Sequence, residues 1–222
     1  MALTLDRPVY RLSAMSTAPS NDGPAGTRER LIGAMIRALR TRGFHGVGLT
    51  ELLAQAQAPK GVLYHHFPGG KAELAVAAID EVVGLINAEL GGLFQTHRSP
   101  EQALTAWLSS AQRTLMASGF EHGCPLATVA LESTASDLAI RAALAKGFSQ
   151  IRETLLNALL CADVEPARAK GLSALMVSAF EGALLQARVA GDVEPIRQTA
   201  GALREVLAHS LPRLTPEQQD HP

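Results

Sequence analysis

Apolar residues recur at helical spacing along almost the whole chain, as in Leu31, Ala34, Met35, Ala38 and Leu39, steps that line one face of a helix. Strand pairing needs alternation by two instead, and little of the chain is left to supply it. The residue types agree with the period. Hydrophobic residues make up 47% of the sequence but aromatic ones only 4%, and the apolar content is mostly alanine and leucine, both strong helix formers. Proline and glycine fall mainly between the periodic stretches. The sequence therefore predicts an all-α fold, and 222 residues suffice for one or two domains with real cores.

The breaks set the expected elements. Residues 1–26 hold Pro8, Pro19 and Pro24 and no sustained period, which reads as a disordered arm, with Met15 a second candidate start. A first helix is expected from Thr27, as its cap, to Arg42, stopping at Gly43. Two short helices follow, Leu49 to Ala56 and Pro59 to about Phe67. Pro68, Gly69 and Gly70 then break the chain ahead of a long helix from Lys71 to Leu93. Further helices are expected over 100–117, 125–132, 136–160, 166–190 and from 195 to about 211, before a polar tail, 212–222. This divides the chain into a small head, 27–72, and a larger bundle, 73–211. No apolar run approaches the ~18 residues of a membrane helix, and the first residues lack a signal-peptide core. The expected location is the cytoplasm, without a membrane partner. Cys124 and Cys161 make no disulfide framework.

A formal net charge of -1 looks like an argument against a nucleic-acid partner until it is divided. Residues 27–75 carry seven basic against three acidic residues, a net +4, whereas 76–222 carry eleven against sixteen, a net −5. A basic small domain on an acidic body is the electrostatic footprint of a polyanion binder.

Within the head, residues 49–67, LTELLAQAQAPKGVLYHHF, have the spacing of two short helices joined by a tight turn. In a helix-turn-helix the first of these supports the second, which presents its N-terminal end to the major groove. Leu52, Leu53 and Ala56 can pack inward against Val62 and Leu63. Lys60, Gly61, Tyr64 and His65 then face the open side, with groups suited to phosphates and base edges. His66 points elsewhere and is expected to be structural, hydrogen-bonded near the next helix.

These residues resemble the DNA-binding domain of the TetR family of bacterial transcription regulators. The resemblance rests on T-R-E-R at 27–30, Arg42-Gly43-Phe44, Thr50-Glu51-Leu52, K-G-V-L-Y-H-H-F at 60–67 and the start of the next helix at Lys71 to Leu74. Pro59, F-P-G-G-K at 67–71 and G-C-P-L-A-T-V-A-L-E at 123–132 are similar to the LmrA/YxaF-like subgroup. Two positions depart from the family pattern. Gly48 stands where a Ser or Thr usually caps the second helix, and Gln57 where the turn usually carries Gly.

The resemblance implies a homodimeric transcriptional regulator, most often a repressor, on pseudo-palindromic double-stranded operator DNA. It implies DNA contacts from Thr50, Lys60, Gly61, Tyr64, His65 and Lys71. It also implies a small lipophilic effector, since some regulators of the subgroup govern multidrug efflux and respond to lipophilic or flavonoid-type molecules. An effector in the body would move the long helix and change the separation of the two heads. The last two long helices would form the dimer interface, with Leu172, Leu175, Ala179 and Ala183 on their apolar stripes.

Phe94, Trp107, Met116, Phe120, Phe148, Met176 and Phe180 are nearly all the bulky or soft side chains of the body. Core packing is the default for each, and as a group, with Cys124 beside them, they are candidates for an effector pocket. The rival reading of Cys124 and His122 as a nucleophile or metal site lacks the third ligand or orienting group such chemistry needs. His65 and His66 are adjacent, where a metal pair wants i and i+4. No enzyme activity, cofactor or metal is expected. The remaining alternative is a ligand-binding protein whose head no longer reads DNA.

Overall fold

A computed structural model describes residues 26–211. The expected arm, apart from Gly26, and the polar tail lie outside the described residues, as does Met15. Among the described residues there are nine helices and no strand: α1 (Thr27–Thr41), α2 (Leu49–Gln55), α3 (Lys60–His66), α4 (Gly70–Thr96), α5 (Pro100–Ala117), α6 (Pro125–Glu132), α7 (Leu138–Cys161), α8 (Pro166–Ala190) and α9 (Glu194–Ala208). Their order and type follow the sequence pattern, with ends displaced by a few residues.

Local chemistry explains the ends. The hydroxyl of Ser99 accepts the backbone N–H of Gln102, and Pro100 opens α5. Glu165 accepts the N–H groups of Ala167 and Arg168, both at 2.8 Å, ahead of α8. α1 differs from expectation: Gly26 is its N-cap, without a side-chain bond. Thr27 is already helical, and its hydroxyl accepts from Arg30 at 3.1 Å.

α1, α2 and α3 pack on one another through Leu31, Met35, Leu39, Leu52 and Leu63, each fully buried. α4 leaves this head and packs along α7, with α1 and α5 also against it. Gly147 on α7 lets the two long helices close up, because a Cβ there would lie only 2.6 Å from Val83 Cγ2 of α4. α8 sits between α7 and α9, and short α6 bridges back to α1.

α8 is long and apolar enough to cross a membrane by length and composition alone. Its inward face, Leu172, Met176, Phe180 and Ala183, belongs instead to the core of this bundle. The residues expected at the dimer interface divide between the core and the surface of α8. Leu172 and Ala183 are buried within the protomer, and the edge of the buried face falls between Leu172 and Leu175, which lie about 60° apart round the helix. Leu175 is exposed and Ala179 half-buried. The outward stripe of α8 runs Gly171, Leu175, Ser178, Gly182, Leu185 and Val189.

Candidate functional site

The head forms a helix-turn-helix. Leu52, Leu53, Ala56, Leu63 and Phe67 are buried beneath it. Thr50, Lys60, Gly61, Tyr64 and His65 are exposed. Gly48 caps α2 with extended backbone and no side-chain bond. Gln57 takes φ +50°, a left-handed conformation that costs a non-glycine residue on the order of 1 kcal/mol. The turn closes regardless, with Ala58 N–H donating to Leu53 at 3.0 Å. His66 is half-buried and makes edge contacts with the His65 and Phe67 rings, in place of the expected hydrogen bond to the next helix.

Several of the head's cations are engaged within the chain. Arg42 makes a two-pronged ion pair with Glu51, at 2.6 and 2.8 Å, joining the end of α1 to α2. Arg30 donates to the carbonyl of Ala56 at 3.2 Å, tying α1 to the turn. Arg28 lies over the Phe67 ring, 5.4 Å from its centroid. Lys71, expected to grip a phosphate, donates to the Phe44 carbonyl at 2.5 Å and lies 4.4 Å from the Phe44 ring centroid. Burial lowers its pKa, while the charge of Glu132 acts the other way. The net +4 already subtracts Glu51, so these contacts fix where the head's charge sits and leave its sum unchanged.

Within the bundle, Trp107 of α5 and Phe180 of α8 stack face to face, centroids 3.8 Å apart and planes 4° from parallel. They line a cavity of about 70 Å³ together with Val82, Ile86, Leu184, Arg40, His122 and Cys124. An adjoining chamber of about 270 Å³ shares Gly123, Cys124 and Leu184 and adds Glu132, Glu181 and Arg188. Of the residues expected here, Trp107, Cys124 and Phe180 line the inner cavity. Phe94 and Phe148 are half-buried against the core and Met176 is fully buried within it, away from this cavity. Met116 is turned outward. Phe120, at φ +67°, lines a separate surface depression with Leu185 and Val189.

The polar groups of this cavity are strongly perturbed. Burial pushes the Glu181 carboxyl up to about 7, against a hydrogen bond with Cys124. Burial and then Glu181 raise the Cys124 thiol well above its ordinary value. A thiol so held stays protonated and is a poor nucleophile. Burial, then the positive charge of Arg40, lowers the pKa of His122. No group of three or more His, Cys, Asp or Glu suited to a metal occurs among the described residues.

α6 connects the cavity to the head. Its first turn, Cys124 and Pro125, lines the cavity. Its last residue, Glu132, accepts the backbone N–H groups of Phe44 and of His45, the latter at 3.2 Å, in the α1–α2 loop. Gly43 takes φ +72° there, and a Cβ would lie 2.3 Å from the Glu132 carboxylate. His45 Nε2 meets Asp137 at 3.1 Å, and Asp137 also accepts the N–H and hydroxyl of Thr134, both at 2.8 Å.

The comparisons agree with this geometry. Residues 31–78 match the family described as bacterial regulatory proteins, tetR family. Residues 100–202 match the C-terminal domain of LmrA/YxaF-like transcriptional regulators. An uncharacterized HTH-type transcriptional regulator of Mycobacterium tuberculosis is 31% identical over 196 residues, covering 84% of this chain and 97% of that one. The chain belongs to the TetR family. It is a DNA-binding transcriptional regulator of the LmrA/YxaF-like subgroup. The HTH-type regulator LmrA of Bacillus subtilis is 25% identical over 181 residues, covering 82% of this regulator and 96% of LmrA. The structure of reduced Escherichia coli NemR superposes with a TM-score of 0.70 at 27% identity, covering 81% of this chain and 95% of that one. NemR is named a transcriptional repressor.

Sequence reasoning missed Glu132, Asp137 and Glu181 of this regulator. Glu132 ends the G-C-P-L-A-T-V-A-L-E stretch that marks the subgroup, so its neighbourhood was visible. Its partner lies 88 residues away, and no periodicity reports a contact of that kind.

Proposed function

We propose that the chain is a homodimeric repressor that leaves its operator when a small lipophilic effector occupies the Trp107–Phe180 cavity. The observation that carries this reading is α6, which lines the cavity with Cys124 and Pro125 and holds the α1–α2 loop through Glu132. An occupant displacing the start of α6 shifts Glu132, and with it the loop that sets the helix-turn-helix against α4. Operator and effector then weaken each other's binding by the same factor.

In this reading, residues 27–72 are the DNA-binding head and 73–211 the effector-binding and dimerisation body. Lys60, Gly61, Tyr64 and His65 of α3 face the major groove, Thr50 faces a flanking phosphate, and Lys71 holds the loop in place of a phosphate. The dimer forms through the outward stripe of α8, where Gly171, Ser178 and Gly182 allow close approach between Leu175, Leu185 and Val189. It sets two heads about 34–36 Å apart on a pseudo-palindromic site. The protein works in the cytoplasm, without enzymatic activity, like the regulators it resembles.

A mobility shift with the intergenic DNA upstream of the chain's own gene, repeated with candidate lipophilic compounds, tests the reading. Retarded DNA that is released by at least one compound supports it. No retardation at any salt concentration overturns it in favour of a ligand-binding protein that does not read DNA.

A further inference from the structure

We propose that the Trp107–Phe180 cavity selects lipophilic cations, and that the carboxylate of Glu181 receives the ammonium group of the ligand. The inference rests on the effector-release reading and names the ligand chemistry of that same site.

Glu181 follows Phe180 on α8 and lines the outer chamber, which shares Gly123, Cys124 and Leu184 with the cavity of the stacked rings. Its Oε2 is sealed from solvent and has no hydrogen-bond partner. A buried polar atom left in that state costs free energy, and native proteins rarely keep one without a use. The Cys124 thiol engages the same carboxyl, and as a weak neutral donor it supplies no charge.

The charged and titratable groups lining the two chambers are Cys124 and Glu132 on α6, Arg188 on α8, His122 in the α5–α6 connection and Arg40 on α1. Arg188 is the one cation sharing the outer chamber with Glu181. Its guanidinium comes within 3.4 Å of where a Cβ on Gly123 would stand, and its charge is felt at His122 together with that of Arg40. The proton affinity of Glu181 is set first by burial, which raises it, and then by the hydrogen bond with Cys124, which lowers it.

The cavity is therefore polarised. The charges of Arg40 and Arg188 are felt at its His122 end, and its Glu181 end holds a buried carboxyl with one oxygen unpartnered. An anion is repelled at the ionised Glu181 carboxyl. A neutral hydroxyl supplies a hydrogen bond but leaves the buried charge uncompensated. An ammonium supplies both, which is the condition for burying a charge. Next to it, the inner cavity offers an apolar slot bounded by two aromatic rings. An engineered apolar cavity of about 150 Å³ holds benzene; the inner cavity alone, about 70 Å³, is smaller than that, so a phenyl ring with a short amine arm has to take most of its space from the adjoining chamber of about 270 Å³.

The test compares 2-phenylethylamine, 2-phenylethanol and phenylacetate by titration calorimetry on the full chain, with the fluorescence of Trp107, the sole tryptophan, as a second readout. The amine should bind at least tenfold more tightly than the alcohol at pH 8, and phenylacetate not measurably. Because Glu181 must be ionised and titrates at about 7, amine affinity should fall about tenfold from pH 8 to pH 6. Glu181→Gln, with its fold checked by thermal melting, should remove both the preference and the pH dependence. Equal affinity for amine and alcohol, or amine affinity that is flat with pH in the wild-type chain, overturns the proposal. Both criteria are read without the variant. A wild-type chain that shows amine selectivity but retards no operator DNA would sink the regulator reading instead.

Discussion

Glu132 accepts the backbone N–H of His45 at 3.2 Å, joining the last residue of α6 to the loop that follows α1. Phe44 donates its N–H to the same carboxylate. The loop therefore hangs from the body at two successive amides, and charge-assisted bonds of this kind are worth about 1.5–3 kcal/mol each in favourable cases. Glu132→Ala should uncouple the two ends of α6. Operator affinity without effector should change little, while the ratio of affinities without and with effector falls toward one from the range of about 5–150 typical of such coupling. Fluorescence anisotropy on a labelled operator measures both. An unchanged ratio means the signal takes another route.

Gly43 makes that loop possible for two reasons. Its φ of +72° belongs to the left-handed region, and the Glu132 carboxylate occupies the space where a Cβ would stand. Gly43→Ala should therefore cost about 1–2 kcal/mol from the backbone alone and more from the clash. A chain of this size should melt about 2–4 °C lower per kcal/mol. Adding Glu132→Ala should recover the part due to the clash and leave the backbone part, so the two changes should not be additive.

The surface cations of the head separate into those that face outward and those held inside. Lys60→Ala should weaken binding to all DNA sequences alike and reduce the slope of log affinity against log salt by about one ion. Lys71→Ala should lower the melting temperature, since its ammonium is spent on the Phe44 carbonyl, and leave the salt slope close to the wild-type value. A slope reduced by Lys71→Ala as much as by Lys60→Ala would return Lys71 to the phosphate contacts.

This division of labour was only partly legible in the sequence. Helical periodicity and the proline and glycine breaks were enough for the nine helices, because both are local. The exposed set on α3 was legible too, since Leu63 and Phe67 declare the buried face. The rest depended on contacts far apart in the chain. Nothing local says that Arg42 pairs with Glu51, that Lys71 turns to Phe44, or that Glu132 reaches the head. The bulky residues of the body illustrate the same limit. Trp107 and Phe180 line the cavity whereas Met176 disappears into the core, and hydrophobicity alone cannot separate them. On α8 an apolar content on every side hid which stripe was outward, so Leu172 and Leu175 looked equivalent.

Leu185 is 47% exposed and Val189 82% exposed, on the same outward stripe of α8 as Leu175. Leu185→Arg should give monomers in sedimentation at micromolar concentration and reduce operator affinity at least tenfold, because each head alone loses its partner's half-site. Leu172→Ala should behave differently. It removes a buried side chain from the protomer and should lower stability by about 2–5 kcal/mol without a specific effect on assembly. A stable dimer for Leu185→Arg would place the interface elsewhere.

Two carboxylates should give the stability of the chain opposite dependences on pH. Hydrogen bonds from Thr134, then His45, hold Asp137 at about 2, below its ordinary value of 3.8. The folded state releases that proton more readily, so its contribution is fully present above about pH 4 and is lost as pH falls through 2. Glu181 is the reverse, raised from 4.5 to about 7. Between those values the folded state binds the proton more tightly than the unfolded chain, so stability falls as pH rises from about 4.5 and levels off above 7. Thermal melts of the wild-type chain, Asp137→Asn and Glu181→Gln from pH 3 to 8 test both. Glu181→Gln should gain on the wild type as pH rises through 5 to 7, whereas the disadvantage of Asp137→Asn should shrink only below pH 4. A wild-type difference from Glu181→Gln that does not change between pH 5 and 7 would mean that Glu181 is not held protonated by its burial.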